Sequence, residues 1–177
     1  MLKRFAALSL VSLVASTAFA ADADPCKAFK WDVSHELAVF TQAPESVVAA
    51  TSTANAAPEL RLDKLYEVKL TDQGSVTFAV PPVKPTLPDG TQAGMVQFKS
   101  AAAGRYRVAI TSHHWLDVID GQAPIKSRDF HSAHGCQRPQ KIVEFDLPAQ
   151  RPLTLQLSGA SETPVTLAIT EVTSATK

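Results

Sequence analysis

The sequence predicts an all-β fold: an antiparallel β-sandwich, jelly-roll-like, with at most one short helix. Two observations carry this expectation. Short runs of alternating apolar and polar residues recur along the chain, which places one face of each run in a core and the other in water. Gly, Pro, Asp and Ser punctuation lies between them, and strand signals recur in places at about 8–12 residues, as a sandwich or barrel expects.

Taken in chain order, the first element is an export signal over residues 1–20. Lys3 and Arg4 form its positive start, Phe5 to Ala18 is apolar or small, and Ala18-Phe19-Ala20 fits a small-x-small cleavage site. The mature chain is therefore expected to begin at Ala21 and to have no membrane span after cleavage, since no later segment approaches the ~20 apolar residues of a spanning helix. Of 177 residues, 157 remain once these 20 are removed, one domain (21–177) with enough chain to bury a core. The signal holds two of the 17 basic residues and none of the 17 acidic ones, which leaves 15 against 17 and a net charge of −2. Clustered Lys and Arg are lacking, so no nucleic-acid partner is expected.

Cys26 and Cys136 are the two cysteines. An even pair in an exported chain reads as a disulfide. Trp31, close behind Cys26, is expected to pack over it. The Ala/Ser/Thr-rich stretch from Ala43 to Pro58 is read as loose chain or a short helix around Glu45 to Ala50.

The strands follow. Tyr66/Val68/Leu70, Val76/Phe78/Val80, Val96/Phe98 and Tyr106/Val108/Ile110 each alternate with polar or small neighbours. Val143/Phe145/Leu147, Leu153/Leu155/Leu157 and Val165/Leu167/Ile169 do the same. Ala101 to Gly104 reads as a hairpin connection, and Asp120-Gly121 and Ser158-Gly159 as tight turns. Pro81 to Gly90 holds four prolines, cannot be a central strand, and is expected to be an extended loop crossing between sheets.

Chemistry-bearing residues are few. Four of the five histidines, His113, His114, His131 and His134, fall in one region, and His113, His131 and His134 are the candidate metal ligands. Strand neighbours point to opposite faces, Cys136 is assigned to a disulfide, and no carboxylate stands at a familiar ligand spacing, so loop histidines and no bound cofactor are expected. Trp115 with Asp117, on one strand face, is the candidate ligand-binding pair, because Trp platforms bind sugar rings. Core packing is the competing reading of Trp115. Neither Gly-x-Ser-x-Gly nor His-Glu-x-x-His occurs, and no catalytic residue is assigned.

Gly104-Arg105-Tyr106-Arg107-Val108, Trp115-Leu116-Asp117-Val118, His134-Gly135-Cys136, Lys141-Ile142-Val143-Glu144-Phe145 and Leu155-Gln156-Leu157-Ser158-Gly159 together resemble a group of small proteobacterial exported proteins. The likeness covers roughly residues 95–172 and the start from Cys26 to Val33. The Gly-x-Tyr-x-Val cadence is similar to β-sandwich modules of the pre-peptidase C-terminal type, which implies an accessory module of secreted enzymes. The resemblance also admits a homogentisate 1,2-dioxygenase reading, a cupin-type iron enzyme with two histidines and a glutamate, for which the sequence offers no His-x-His followed by a Glu. Together these readings favour a non-catalytic periplasmic or secreted domain that binds a glycan, a small ligand or an envelope protein. A metal-dependent enzyme is the alternative, and a structural envelope component the third.

Overall fold

The computed structural model describes residues 24–53, 56–84 and 87–172. The expected export signal lies outside the described residues. Among these, no helix is long and apolar enough to cross a membrane.

Among the described residues, twelve strands form two six-stranded sheets. They are β1 (Glu45–Val48), β2 (Glu59–Leu60), β3 (Leu65–Lys69), β4 (Thr71–Asp72), β5 (Gln92–Lys99) and β6 (Gly104–Ile110), then β7 (Trp115–Asp120), β8 (Ala123–Ile125), β9 (Asp129–Ser132), β10 (Lys141–Leu147), β11 (Pro152–Ala160) and β12 (Val165–Glu171). The first sheet runs β1-β3-β12-β6-β10-β9; the second runs β2-β5-β11-β7-β8, with β4 beside β5. From β3 to β12 every link passes between sheets except β4–β5, β7–β8 and β9–β10. The inner order, β3-β12-β6-β10 over β5-β11-β7-β8, is the double Greek key of a jelly roll. Pairing is antiparallel except at two edges, where β1 runs parallel to β3 and β2 parallel to β5.

The alternation in sequence becomes the core. Tyr66, Val68, Tyr106, Val108, Phe145 and Leu167 point inward from the first sheet against Val96, Phe98, Val118, Leu153, Leu155 and Leu157 of the second. Tyr106 reaches through this core and satisfies its hydroxyl on the Ala102 backbone, donating to its carbonyl at 2.9 Å and accepting from its N–H at 3.1 Å.

The centre of the first sheet's outer face is not wet. Residues 24–42, including helix α1 (Ser34–Val39), lay Phe29, Val33, Val39 and Phe40 over Leu65, Ala109, Ile142 and Ala168. Beneath α1, Arg107 is buried with two carboxylates. Its Nε donates to Glu144 at 2.9 Å, and its Nη1 to the Asp32 carbonyl at 2.7 Å and to Glu36 at 3.3 Å. Thr170 donates to Glu36 at 2.8 Å. Burying a lone charge costs several kcal/mol, so each of these groups needs the others.

Several sequence expectations change. Glu45–Val48 is a strand, because Val47 and Val48 are β-branched and fit a pleated edge better than a helix; among the described residues the one α-helix is α1 instead. Val76 to Val80 makes one isolated bridge, Ser52 to Thr77, and Pro81-Pro82 stops it from continuing as a strand. Ala101 to Ala103 crosses between sheets rather than closing a hairpin, since β5 and β6 lie in different sheets. Ser158-Gly159 sits inside β11 at a register shift, with Gly159 at φ +69°, while Gly121, at φ +62°, does turn β7 into β8. The proline-rich segment returns to the sheet it left, because β4 and β5 pair with each other.

Cys26 and Cys136 form the disulfide, with Cα atoms 4.7 Å apart. Trp31 belongs to the same cluster but is half-buried, its ring between the Lys30 ammonium at 4.8 Å and the Arg107 guanidinium at 5.1 Å. The bridge spans 110 residues and constrains the unfolded chain by about 4–5 kcal/mol in the chain-entropy description. Cys26→Ser and Cys136→Ser are therefore expected to destabilise alike in urea unfolding, by roughly 2–5 kcal/mol, with the double variant no worse than either single one. Additive losses would contradict the pairing.

Candidate functional site

The site is built on the outer face of the second sheet. Trp115 and Asp117 of β7 stand opposite Ser158 and Gln156 of β11 in the antiparallel register. On a plain sandwich this polar face would meet water. Here residues 76–84 and 87–90 lie across it, and Gln156 is fully buried. The Gln156 side chain accepts from the Val80 N–H at 3.2 Å and donates to the Val80 carbonyl at 3.1 Å. Asp117 accepts from the Val83 N–H at 3.1 Å. Pro81 and Pro82, between these anchors, bring no N–H that needs a partner. Farther along, Leu87 and Pro88 close over Gly159, where an added Cβ would stand 3.3 Å from Leu87 Cδ2.

Asp117 also fixes the tryptophan. Trp115 Nε1 donates to its second oxygen at 2.8 Å. Burial pushes the Asp117 carboxyl up from its ordinary range, and the bonds from Val83 and Trp115 oppose that shift. Trp115 is half-buried, with an edge fixed by hydrogen bonding, and lines two hollows. One is a small hollow of about 110 Å³ between Trp115, Phe130 and Val143. The other is a cleft of about 260 Å³ between Trp115, Lys84, His113, His114 and Ser158. Lys141, the first residue of β10, borders both. Its ammonium donates to the His114 carbonyl at 2.7 Å and lies 5.9 Å from the Trp115 ring centre. Burial, and then the charge of Lys84, hold its pKa below the usual lysine value.

His114 is 5 % exposed, and its Nδ1 lies 2.9 Å from the Ser112 hydroxyl. Burial foremost, then Lys141 and His113, lower its pKa to about 3. Two buried polar atoms at this cleft, His114 Nε2 and Ser158 Oγ, have no hydrogen-bond partner among the described residues. Such orphans are rare in native interiors.

The candidate metal ligands separate. The exposed rings of His113 and His134 have centroids 6.3 Å apart. His131 lies elsewhere, edge-on to Phe29 at 5.6 Å and Trp31 at 6.4 Å. His35 pairs with Asp63 at 2.7 Å. Among the described residues no three His, Cys, Asp or Glu side chains are grouped to hold a metal ion.

A larger open hollow, about 970 Å³, lies at the far end of β7 between Gly104, Asp120, Asp146 and Glu171. Two of its three acids are engaged, Asp120 with Arg151 at 2.8 Å and Asp146 with Arg128 at 2.9 Å, and among the described residues no aromatic side chain lines it. The smaller cleft beside Trp115, with its unspent polar groups, is the better candidate.

Sequence reasoning paired Trp115 with Asp117, because residues two apart on a strand share a face. It missed Lys84, Lys141, His114 and Ser158. Only the topology brings β10 and the covering segment to the start of β7. No protein-family model matches the chain, and neither does any curated protein or solved structure.

His114 gives this end of the molecule a pH signature. Its folded pKa, about 3, lies below the unfolded value near 6.5, so stability present above pH 6.5 is lost as the pH falls toward 3. His114→Gln should remove that increment, a slope of up to about 1.4 kcal/mol per pH unit across the window. Urea titrations of both proteins from pH 7 to 3 measure it; parallel slopes would contradict a neutral buried His114.

Proposed function

We propose that this chain is a non-catalytic binding domain of the periplasm, exported by its N-terminal signal, that holds a small ligand or glycan against Trp115. The observation that carries the reading is the placement of Trp115: anchored through Nε1 to Asp117, half-buried, and lining two hollows. Ligand sites combine an apolar or aromatic wall with a few placed polar groups, and Trp115 with Lys141 and Ser158 supplies both. The Cys26–Cys136 disulfide supports an oxidising compartment.

The test uses the second tryptophan to advantage. In a Trp31→Phe background, Trp115 is the sole tryptophan, and its emission reports the cleft. Titration with a panel of mono- and oligosaccharides and small metabolites should find a saturable change for at least one class. Trp115→Ala, followed by calorimetry with that compound, should weaken binding by about tenfold or more. Undiminished binding to Trp115→Ala would overturn the proposal. The periplasmic placement is tested by the N-terminus of the protein from the periplasmic fraction, expected at Ala21.

A further inference from the structure

We infer that the cleft on the His114 side of Trp115 takes an acidic saccharide unit, with the anionic group held between Lys84 and Lys141. This rests on Trp115 being a ligand-binding wall. It adds what kind of ligand the wall serves.

The cleft is bordered by cations that nothing among the described residues neutralises. Lys84 comes from the covering segment and Lys141 from the first sheet, yet both border one cleft. Among the described residues neither makes an ion pair with a carboxylate. The Lys141 ammonium is bonded to a neutral carbonyl, that of His114, so its charge is uncompensated. Among the described residues no carboxylate borders the cleft: Asp117, whose oxygens accept from Trp115 Nε1 and the Val83 N–H, is not part of its lining. What the cleft offers is two cations, and beneath its surface two residues of its lining, His114 and Ser158, bury polar atoms without partners, Nε2 and Oγ. When the Ser112 hydroxyl donates to His114 Nδ1, the neutral ring carries its proton on Nε2 and becomes a donor. Ser158 Oγ can donate as well. A site of cations and donors, with no free carboxylate, suits an anion and rejects a cation.

Size and shape extend the inference from ion to saccharide. The cleft, about 260 Å³, is far larger than a bare ion needs, at roughly 30 Å³ per water. Trp115 supplies one wall, and aromatic faces hold sugar rings by their apolar C–H surface. The Lys141 ammonium, already near the Trp115 ring, places charge beside that wall, as a ring bearing an acid requires.

The experiment is isothermal calorimetry on the mature, disulfide-bonded protein with three kinds of probe. The acidic probes are glucuronate and galacturonate with their short oligomers. The neutral probes are the matching glucose and galactose oligomers, and the bare anions are sulfate and phosphate. Acidic saccharides should bind at least about tenfold more tightly than neutral ones and weaken as salt is raised. Lys84 is exposed, so Lys84→Gln should fold normally while losing about tenfold or more in affinity, and Lys84→Arg should retain most of it. Equal affinity for neutral saccharides, or no effect of Lys84→Gln, would overturn the anionic inference and leave the Trp115 reading standing. Sulfate or phosphate binding as tightly as the uronates would overturn the saccharide assignment. No heat from any acidic probe at millimolar concentration would overturn the inference outright, and the neutral probes would then decide the Trp115 reading by themselves.

Discussion

The Gln156 side chain and the backbone of Val80 hold the covering segment to the second sheet, and the geometry of the candidate site follows from that contact. Gln156 is buried on the outer face of β11, and its amide is satisfied in both directions by one residue of the segment. Leaving a buried amide unpaired costs about 1–3 kcal/mol, so the segment and the glutamine constrain each other. Asp117 repeats the device three residues on, at Val83. Immediately beyond stands Lys84, which without these anchors would have no reason to face Lys141, a residue 57 positions away on the other sheet.

The first sheet solves the same problem with charge. Its outer face is covered by residues 24–42, and the buried polar anchor is Arg107, bonded to Glu144 on the neighbouring strand and to Asp32 and Glu36 in the cover. Each cover thus combines apolar contact with a polar anchor that accepts few alternative positions, which is one way a core gains a single arrangement. The disulfide adds a covalent tie at the start of the first cover, between Cys26 and the turn holding Cys136. The second cover has no such tie and depends on hydrogen bonds and on Leu87 and Pro88 against Gly159.

The inward faces were legible in the sequence because period-two alternation is a local property. Tyr106, Val108 and Ile110, or Leu153, Leu155 and Leu157, announce a half-buried strand without knowledge of their partners. The jelly-roll arrangement and the disulfide were legible for similarly simple reasons: many short strands in one domain of chain, and two cysteines. What the outer faces do was not legible. Arg107, Glu144, Gln156 and Ser158 read as ordinary wet positions, and only the covers make them buried. Val76 to Val80 shows the converse. Its alternation is real, with Val76 and Phe78 half-buried and Thr77 exposed, but it arises from lying on a sheet rather than joining one. Helix α1 has six residues, too few for a periodic signal. At the site, the Trp115–Asp117 pair follows from strand geometry, whereas Lys84 and Lys141 meet only through long-range topology.

Buried side chains of the second sheet fix the covering segment and thereby shape the cleft. Amide hydrogen exchange measured by NMR at Val80 and Val83 tests this most directly. In the wild-type protein both amides should exchange slowly despite lying outside any strand, and Gln156→Leu should accelerate both by roughly ten- to a hundredfold while the β7 and β11 amides keep their protection. Loop-like fast exchange in the wild type, or unchanged rates in Gln156→Leu, would contradict the account.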